Sequence, residues 1–130
     1  MPLSKIGGVS MTQDERTKKY GKDFGWIAHM IDHCENAVED VSLCSDSAVF
    51  SNNRLIRKSV VMSLLSLGEL IKDAPDEIQS SFSEDLLKIR SFRNRAAHSY
   101  HTINFDIVYG IVKNNIPLAL SELEMLQNKS

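Results

Sequence analysis

The sequence contains little of what would assign it to a secreted, membrane or fibrous class. Its 130 residues include only two cysteines, Cys34 and Cys44, which are too few for a disulfide scaffold. Unbroken apolar runs are two or three residues long, far short of the roughly 18 apolar residues of a membrane span. The first 20 residues contain no apolar core typical of a signal peptide. We therefore expect a cytoplasmic protein with reduced thiols and no contact with membrane.

The chain also lacks an excess of charge of either sign. Lys and Arg number 15 against 17 Asp and Glu, so the formal net charge is −2. Such a balance gives no general attraction to nucleic acid, and any site for a polyanion must be a local patch. Apolar residues make up 42% of the chain, enough for one core. Residues 1–20 are polar and aperiodic, which predicts a flexible tail before a single helical domain at residues 21–130.

Apolar residues recur at gaps of three and four over most of that domain, which is the spacing of amphipathic helices. The pattern predicts a first helix at Lys22–Val41, a long second helix that follows a cap at Asp46 and has its apolar residues at Leu55–Ile71, a third that follows a cap at Ser83 and continues to Ala97, and a last one at Asp106–Leu126, with a short helical turn at Asp76–Ser80. Strand-like alternation does not stand out. Several helices with short connections predict an all-α fold, an antiparallel bundle of four to five helices.

Single residues suggest where these helices begin, end and meet. Asp46 can cap the long second helix, and Ser83 can cap the third. Pro75 should end the second helix, and Pro117 should kink the last one. Gly68 lies inside the second helix, where glycine costs about 1 kcal/mol relative to alanine. We therefore expect Gly68 to mark a close crossing with another helix.

The second helix has an apolar arc that is too wide for packing against one neighbour. It should lie centrally or also face a second subunit.

The stretch RNRAAHSYH, residues 93–101, concentrates more polar chemistry than any other part of the chain. One interpretation is structural, because basic side chains near a helix C-terminus are stabilised by the helix dipole by about 0.3–1 kcal/mol each. The other interpretation is phosphate chemistry. Arginine presents a planar fork that matches phosphate oxygens, and histidine moves protons near neutral pH. RNA supplies its own nucleophile, the 2′-hydroxyl, so such a pair suffices for cleavage without metal.

Helical geometry divides this stretch into two edges. Arg93 and His98 are five residues apart, or about 140° around an ideal helix, and do not share a face. Asn94 and His98 are four apart and can touch, whereas Arg93 shares a stripe with Arg90 and Tyr100. A groove that receives both edges therefore needs a second wall, either another helix or a second subunit.

The pattern Arg93-Asn94-x-x-x-His98-x-Tyr100 resembles the R-x4-H-x-Y signature of HepT-like toxins of the HEPN superfamily. A Gly-Glu pair, Gly68-Glu69, precedes it in a long helix, and a proline-containing helix follows, as in that family. The resemblance implies a bundle that dimerises through its helices and two motifs that face one cleft. It also implies a metal-independent ribonuclease without a cofactor, in which Arg93 and His98 are catalytic and Asn94 assists.

The resemblance further implies the toxin of a toxin–antitoxin pair. Its partner would resemble a minimal nucleotidyltransferase that neutralises the toxin by transferring AMP to the motif tyrosine, Tyr100. The alternative is a non-catalytic HEPN module that binds a nucleotidyltransferase as a substrate-binding subunit. Two positions depart from the family: Ser99 stands where glycine is frequent, and an aromatic often found near Leu86 is absent.

Other polar residues have less specific interpretations. Arg90, Arg95 and His101 are candidates for RNA binding, although a solvated histidine in a loop explains His101 equally well. Glu69 lies in an apolar stretch, and a buried carboxylate needs a partner. We expect it to pair with an arginine of the motif and hold it in place, the alternative being a position in water at the helix edge.

His29 and His33 are four residues apart on the first helix and can share a face. Two ligands make a weak metal site, and the metalloprotease pattern fails because position 30 is methionine. We expect no metal there.

Overall fold

The computed structural model describes residues 25–128, except for the side chain of Glu77. Over this part of the chain the structure is helical and contains no strand, so the all-α prediction is confirmed. The helices are α1 (Gly25–Ser42), α2 (Ser47–Asn52), α3 (Arg54–Asp73), α4 (Asp76–Gln79), α5 (Glu84–His98), α6 (Phe105–Gly110) and α7 (Ile116–Asn128). A 3₁₀ turn (Tyr100–Thr102) follows α5, and a π-helical segment (Ile111–Asn115) joins α6 to α7. The tail predicted at residues 1–20, and the start of the first helix at residues 22–24, lie outside the described residues.

The long helix α3 lies at the centre of the bundle. It packs against α1 on one side and α5 on the other, while α7 packs against α1 and also touches α5. The two short helices α2 and α6 pack together beside this bundle. The wide apolar arc of α3 is explained by its two neighbours, which bury Val60, Leu64, Leu67 and Ile71 completely. Two large apolar residues of α3, Leu55 and Met62, nevertheless remain exposed.

The cap predicted at Asp46 exists, but it belongs to a different helix. Its carboxylate accepts a hydrogen bond from the backbone N–H of Val49 at 2.9 Å and caps the short helix α2. The long helix α3 is capped instead by Asn53, whose side-chain oxygen accepts from the N–H of Ile56 at 3.0 Å. The extended backbone of Asn53 separates the two helices, so the prediction that Asp46 begins the long helix is wrong.

Ser83 lies directly before α5 in an extended conformation, as an N-cap residue should, but its hydroxyl does not cap the helix. The hydroxyl donates to one oxygen of Glu122, and the Ser83 backbone N–H donates to the other at 3.0 Å. The predicted N-cap position is therefore confirmed, but the serine hydroxyl is directed to a carboxylate of α7 and does not cap the helix. This bond fixes the start of α5 to α7.

The two prolines act differently. Helix α3 ends at Asp73, just before Pro75, as predicted. Pro117 lies in the first turn of α7, directly after the π-helical segment, and the backbone stays helical on both sides. Because proline has no N–H and its ring clashes with a carbonyl one turn earlier, the wider π spacing accommodates it. The helix therefore continues through Pro117, and the kink expected there stays a prediction.

Candidate active site

Helices α3 and α5 approach each other closely at Gly68. A Cβ atom at this position would lie 2.9 Å from Cγ of Arg93, closer still to its Cβ, and 3.2 Å from the carbonyl oxygen of Ile89. Carbon atoms do not approach one another this closely in a packed interior without a shift of the neighbour. The predicted close crossing is confirmed, and it places the base of the Arg93 side chain directly against α3.

The guanidinium of Arg93 is bonded on two sides. Its Nη2 donates to Oε1 of Glu69 at 2.8 Å, and its Nη1 donates to Oδ1 of Asn94 at 3.3 Å. The other oxygen of Glu69 lies 4.0 Å from Nζ of Lys72. The Arg93 side chain is 20% exposed and that of Glu69 is 24% exposed, so solvent reaches this pair. The expected contact between Glu69 and a motif arginine is thus present, and its positioning role stays a prediction.

Asn94 and His98 lie on a different side of α5, where they line a surface depression of about 540 Å³. Its polar rim is completed by Arg95, Ser99, Thr102 and Asn104. Arg93 does not contribute to this lining, in agreement with the predicted separation of Arg93 from His98 around the helix. The His98 side chain is exposed and makes no hydrogen bond to another described residue. Its imidazole is therefore accessible to a ligand in the depression.

Tyr100 does not belong to α5. The helix ends at His98, Ser99 has the non-helical angles φ −145° and ψ 57°, and Tyr100 begins the 3₁₀ turn. The prediction that Tyr100 shares a stripe of the helix with Arg93 is therefore wrong. Tyr100 is 46% exposed, and its ring stands edge-on to that of His101 with centroids 6.4 Å apart. The phenol is accessible to a modifying enzyme.

Of the remaining basic candidates, one forms a side-chain hydrogen bond within the fold and two are exposed. Nη1 of Arg90 donates to Oε1 of Gln79 at 2.8 Å, and Nε2 of Gln79 donates to the carbonyls of Lys72 and Ala74. Arg90 therefore helps to fix α4 against the end of α3. Arg95 and His101 are exposed, which suits the binding of a polyanion.

The described part of the chain brings no three His, Cys, Asp or Glu side chains into an arrangement that could hold a metal ion. His29 is exposed and His33 is half-buried. Burial lowers the pKa of His33, with a further lowering from His29 and an opposing effect of Asp32. Neutral imidazole is the form that binds metal, but two histidines alone provide too few ligands for a stable site.

The two thiols, Cys34 and Cys44, are buried and unpaired. Burial raises the pKa of the Cys34 thiol to about 12, and the carboxylates of Glu35 and Glu124 contribute to the same effect. Because the thiolate is the reactive form, Cys34 is an inert core residue at neutral pH.

Comparison with known proteins identifies the family. The model of the family described as Ribonuclease HepT-like matches residues 30–126. The chain belongs to the HepT-like ribonuclease family. The matched range contains Gly68, Glu69 and the whole of α5, so the Arg93 and His98 edges lie within the HepT-like domain.

Two relatives of this HepT-like chain carry the name Putative RNase. One, from Methanocaldococcus jannaschii, is 27% identical over 100 residues, which cover 75% of this chain and 83% of the relative. The other, from Caldanaerobacter subterraneus subsp. tengcongensis, is 27% identical over 106 residues, which cover 80% of this chain and 94% of the relative. No solved structure matches the chain at a significant level. Between residues 25 and 128, no helix has the length and apolar character needed to cross a membrane.

One residue at this site was missed by the sequence analysis. Asn104 lies between the third and the last predicted helix, and the sequence pattern alone assigned it no role. In the structure it caps α6 and lines the depression beside His98. An asparagine directly before a helical pattern that carries an aspartate in its first turn is a recognisable start signal, and it could have been used.

Proposed function

We propose that this HepT-like chain is a metal-independent endoribonuclease and the toxin of a toxin–antitoxin pair. His98 takes the proton from an RNA 2′-hydroxyl, and the resulting oxygen attacks the adjacent phosphorus. The bond from phosphorus to the 5′-oxygen breaks and this oxygen takes a proton from water, giving a 2′,3′-cyclic phosphate and a 5′-hydroxyl, while His98 returns its proton to the solvent. Arg93 stabilises the charge on the phosphate. Family membership and the names of the two relatives support an RNase.

The observation that carries the assignment of roles is the contrast between Arg93 and His98. Arg93 is fixed by Glu69 and Asn94, as suits a group that only positions charge. His98 is exposed and unbonded within the described residues, as suits a group that transfers protons. The two side chains lie on different sides of α5. A phosphate can therefore contact both of them only in a cleft that has a second wall.

A second copy of the chain is the wall that we propose. Leu55 and Met62 of α3 are 79% and 62% exposed, and their spacing of seven residues places them on one face. Glu69 lies another seven residues along, so this apolar stripe leads directly to the Glu69–Arg93 pair. Pairing of two such stripes removes apolar surface from water and brings the Arg93 residues of both copies to the interface.

Expression in a bacterium tests the nuclease. Wild type is expected to arrest growth, and His98→Ala is expected not to. His29→Ala, which removes an exposed histidine of α1, provides the matched control and should remain toxic. The purified protein should cleave RNA in EDTA and leave 2′,3′-cyclic phosphate ends. Equal growth of cells carrying wild type and His98→Ala would contradict the proposal.

The proposed antitoxin is a minimal nucleotidyltransferase that transfers AMP to Tyr100. The phenol oxygen attacks the α-phosphorus of ATP, and pyrophosphate leaves. Tyr100 is accessible and lies two residues after His98, so an added nucleotide brings negative charge and bulk next to the site. Intact mass after co-expression should show AMP on wild type and on Tyr109→Phe, but not on Tyr100→Phe. AMP on Tyr100→Phe would reject this assignment.

The non-catalytic alternative has one observation in its favour. The charge of Arg93 is already matched by Glu69, which weakens its attraction for phosphate. A binding module of this kind would associate with the nucleotidyltransferase but leave RNA uncut, and Arg93→Ala would change neither property.

A further inference from the structure

The depression beside His98 has the composition of a ligand pocket. Phe92, Ile103 and Ile107 give it apolar walls, and its volume of about 540 Å³ lies in the usual range of small-molecule sites. Ile107 is 52% exposed, although isoleucine is among the residues most often buried. Apolar walls of this kind accept the flat face of a nucleobase.

The amide of Asn104 is oriented by the start of α6. Its Oδ1 accepts hydrogen bonds from the backbone N–H groups of Asp106 at 2.9 Å and Ile107 at 3.2 Å. The oxygen is therefore occupied, and the amino group remains as the part that can meet a ligand. No described residue accepts a hydrogen bond from this amino group.

The rest of the rim is also biased toward donors. Oδ1 of Asn94 accepts from Arg93, so Asn94 likewise offers its amino group. Arg95 is exposed and carries only donors. The Thr102 hydroxyl donates its proton to the carbonyl of Ser99 at 2.8 Å and leaves only an oxygen acceptor. Three donor groups thus face one hydroxyl oxygen on this rim, apart from His98 and the Ser99 hydroxyl, which can act either way.

We propose that this depression binds the RNA base next to the scissile phosphate and prefers bases with a carbonyl oxygen at position 4 of a pyrimidine or position 6 of a purine. Guanine O6 and uracil O4 accept hydrogen bonds, whereas adenine N6 and cytosine N4 donate them at the corresponding position. A rim rich in donors therefore favours uracil and guanine over adenine and cytosine. This inference rests on the proposed ribonuclease function, since His98 on the same rim is what places the base beside the reacting phosphate.

Asn104→Asp tests the inference with little disturbance of the fold. Aspartate is as good an N-cap as asparagine, so the bonds to the start of α6 are retained. The amino group becomes a second carboxylate oxygen, which changes a donor into an acceptor. Asn53→Asp is the matched control, because it makes the same exchange at the N-cap of α3.

Binding is measured by titrating ¹⁵N-labelled protein with UMP and with AMP. Wild type should bind UMP about tenfold more tightly than AMP, a ratio typical of one well-placed set of base contacts. The backbone signals of Ser99, Ile103 and Ile107 should report the binding. Asn104→Asp should lose or reverse the ratio, and Asn53→Asp should keep it. Taking the ratio of the two affinities cancels the repulsion between the new carboxylate and the nucleotide phosphate, since UMP and AMP carry the same phosphate.

Sequencing of the ends cut from a random RNA pool gives the second measurement. Wild type should cut next to uracil or guanine, and Asn104→Asp should shift toward adenine or cytosine. Equal binding of UMP and AMP, a preference unchanged in Asn104→Asp, or a depression covered by a second copy would overturn the inference. RNA left uncut by wild type would reject the ribonuclease instead, and the nucleotide titration would still decide whether the pocket selects bases.

Discussion

Gly68→Ala is the substitution for which the structure makes the sharpest prediction, because two opposing effects differ in size. In a helix interior alanine is favoured over glycine by about 1 kcal/mol. The added Cβ, however, would lie 2.9 Å from Cγ of Arg93 and closer to its Cβ, with the carbonyl of Ile89 at 3.2 Å. Overpacking of this kind costs about 1–3 kcal/mol, because backbone and side chains must shift to relieve it.

The nearest atoms belong to the rigid base of the Arg93 side chain and to the backbone of α5, so the helices themselves must separate. We therefore expect a net loss of stability of about 1 kcal/mol, rather than the gain that helix propensity alone predicts. The same shift moves Arg93 relative to Glu69 and should reduce RNA cleavage severalfold even when the variant is fully folded.

Gly110→Ala provides the matched control. Gly110 has the helical angles φ −61° and ψ −40°, and a Cβ there would approach nothing closer than 3.9 Å, the Nδ2 of Asn114. This substitution should stabilise the chain by up to about 1 kcal/mol. Urea unfolding of both variants, at one fixed protein concentration because of the proposed dimer, gives the comparison. A Gly68→Ala variant as stable as Gly110→Ala would refute the close crossing of α3 and α5.

Three further predictions use other parts of the structure. Glu69→Gln keeps an acceptor for Arg93 but removes the charge, so it should lower the free energy of unfolding in urea by about 1 kcal/mol and reduce RNA cleavage. The control Glu39→Gln, at an exposed position, should change neither. Unchanged stability and activity in Glu69→Gln would reject the pairing. Met62→Lys should convert the dimer to a monomer in analytical ultracentrifugation, whereas Met125→Lys, at the same 62% exposure, should leave the dimer intact. A monomer in both variants would contradict a specific role of the α3 stripe. Cys34 should resist iodoacetamide at pH 8 in the folded protein, since with a pKa of about 12 only about one thiol in ten thousand is ionised, and rapid labelling would contradict its burial. The raised pKa also predicts that stability falls as pH rises above the ordinary value of 9.0, because the unfolded chain then releases a proton that the folded chain keeps.

A tertiary role could be predicted for residues that are energetically unfavourable in their local sequence context. Gly68 is unfavourable inside a helix, and Glu69 is unfavourable in an apolar stretch, so each required a tertiary reason. The structure supplies one reason for both, since α5 approaches at Gly68 and brings Arg93 to Glu69. The angular separation of Arg93 and His98 could also be predicted, because it depends only on the geometry of one helix.

Hydrogen-bond competition could not be predicted in the same way. Asp46, Asn53 and Ser83 are all suitable N-cap residues, and sequence alone does not say which helix each one caps. Ser83 bonds to Glu122, which is 39 residues away, and a local pattern contains no information about such a partner. The N-cap signal of Asn104 was recognisable, but its place beside His98 was not, because that depends on the tertiary arrangement of the residues around the depression.

The end of α5 at His98 determines which residues line the depression together with this histidine. If the helix had continued, residue 104 would lie about 9 Å further along its axis than His98, at 1.5 Å per residue. The break at Ser99 instead turns the chain back, so that Thr102, Ile103 and Asn104 line the same depression as His98. Ser99 makes this turn with a negative φ of −145°, which any residue with a side chain can adopt. Ser99, at the position where the family resemblance leads one to expect glycine, is therefore compatible with the site, and the residues that close the depression are the ones whose substitution should change the proposed base preference.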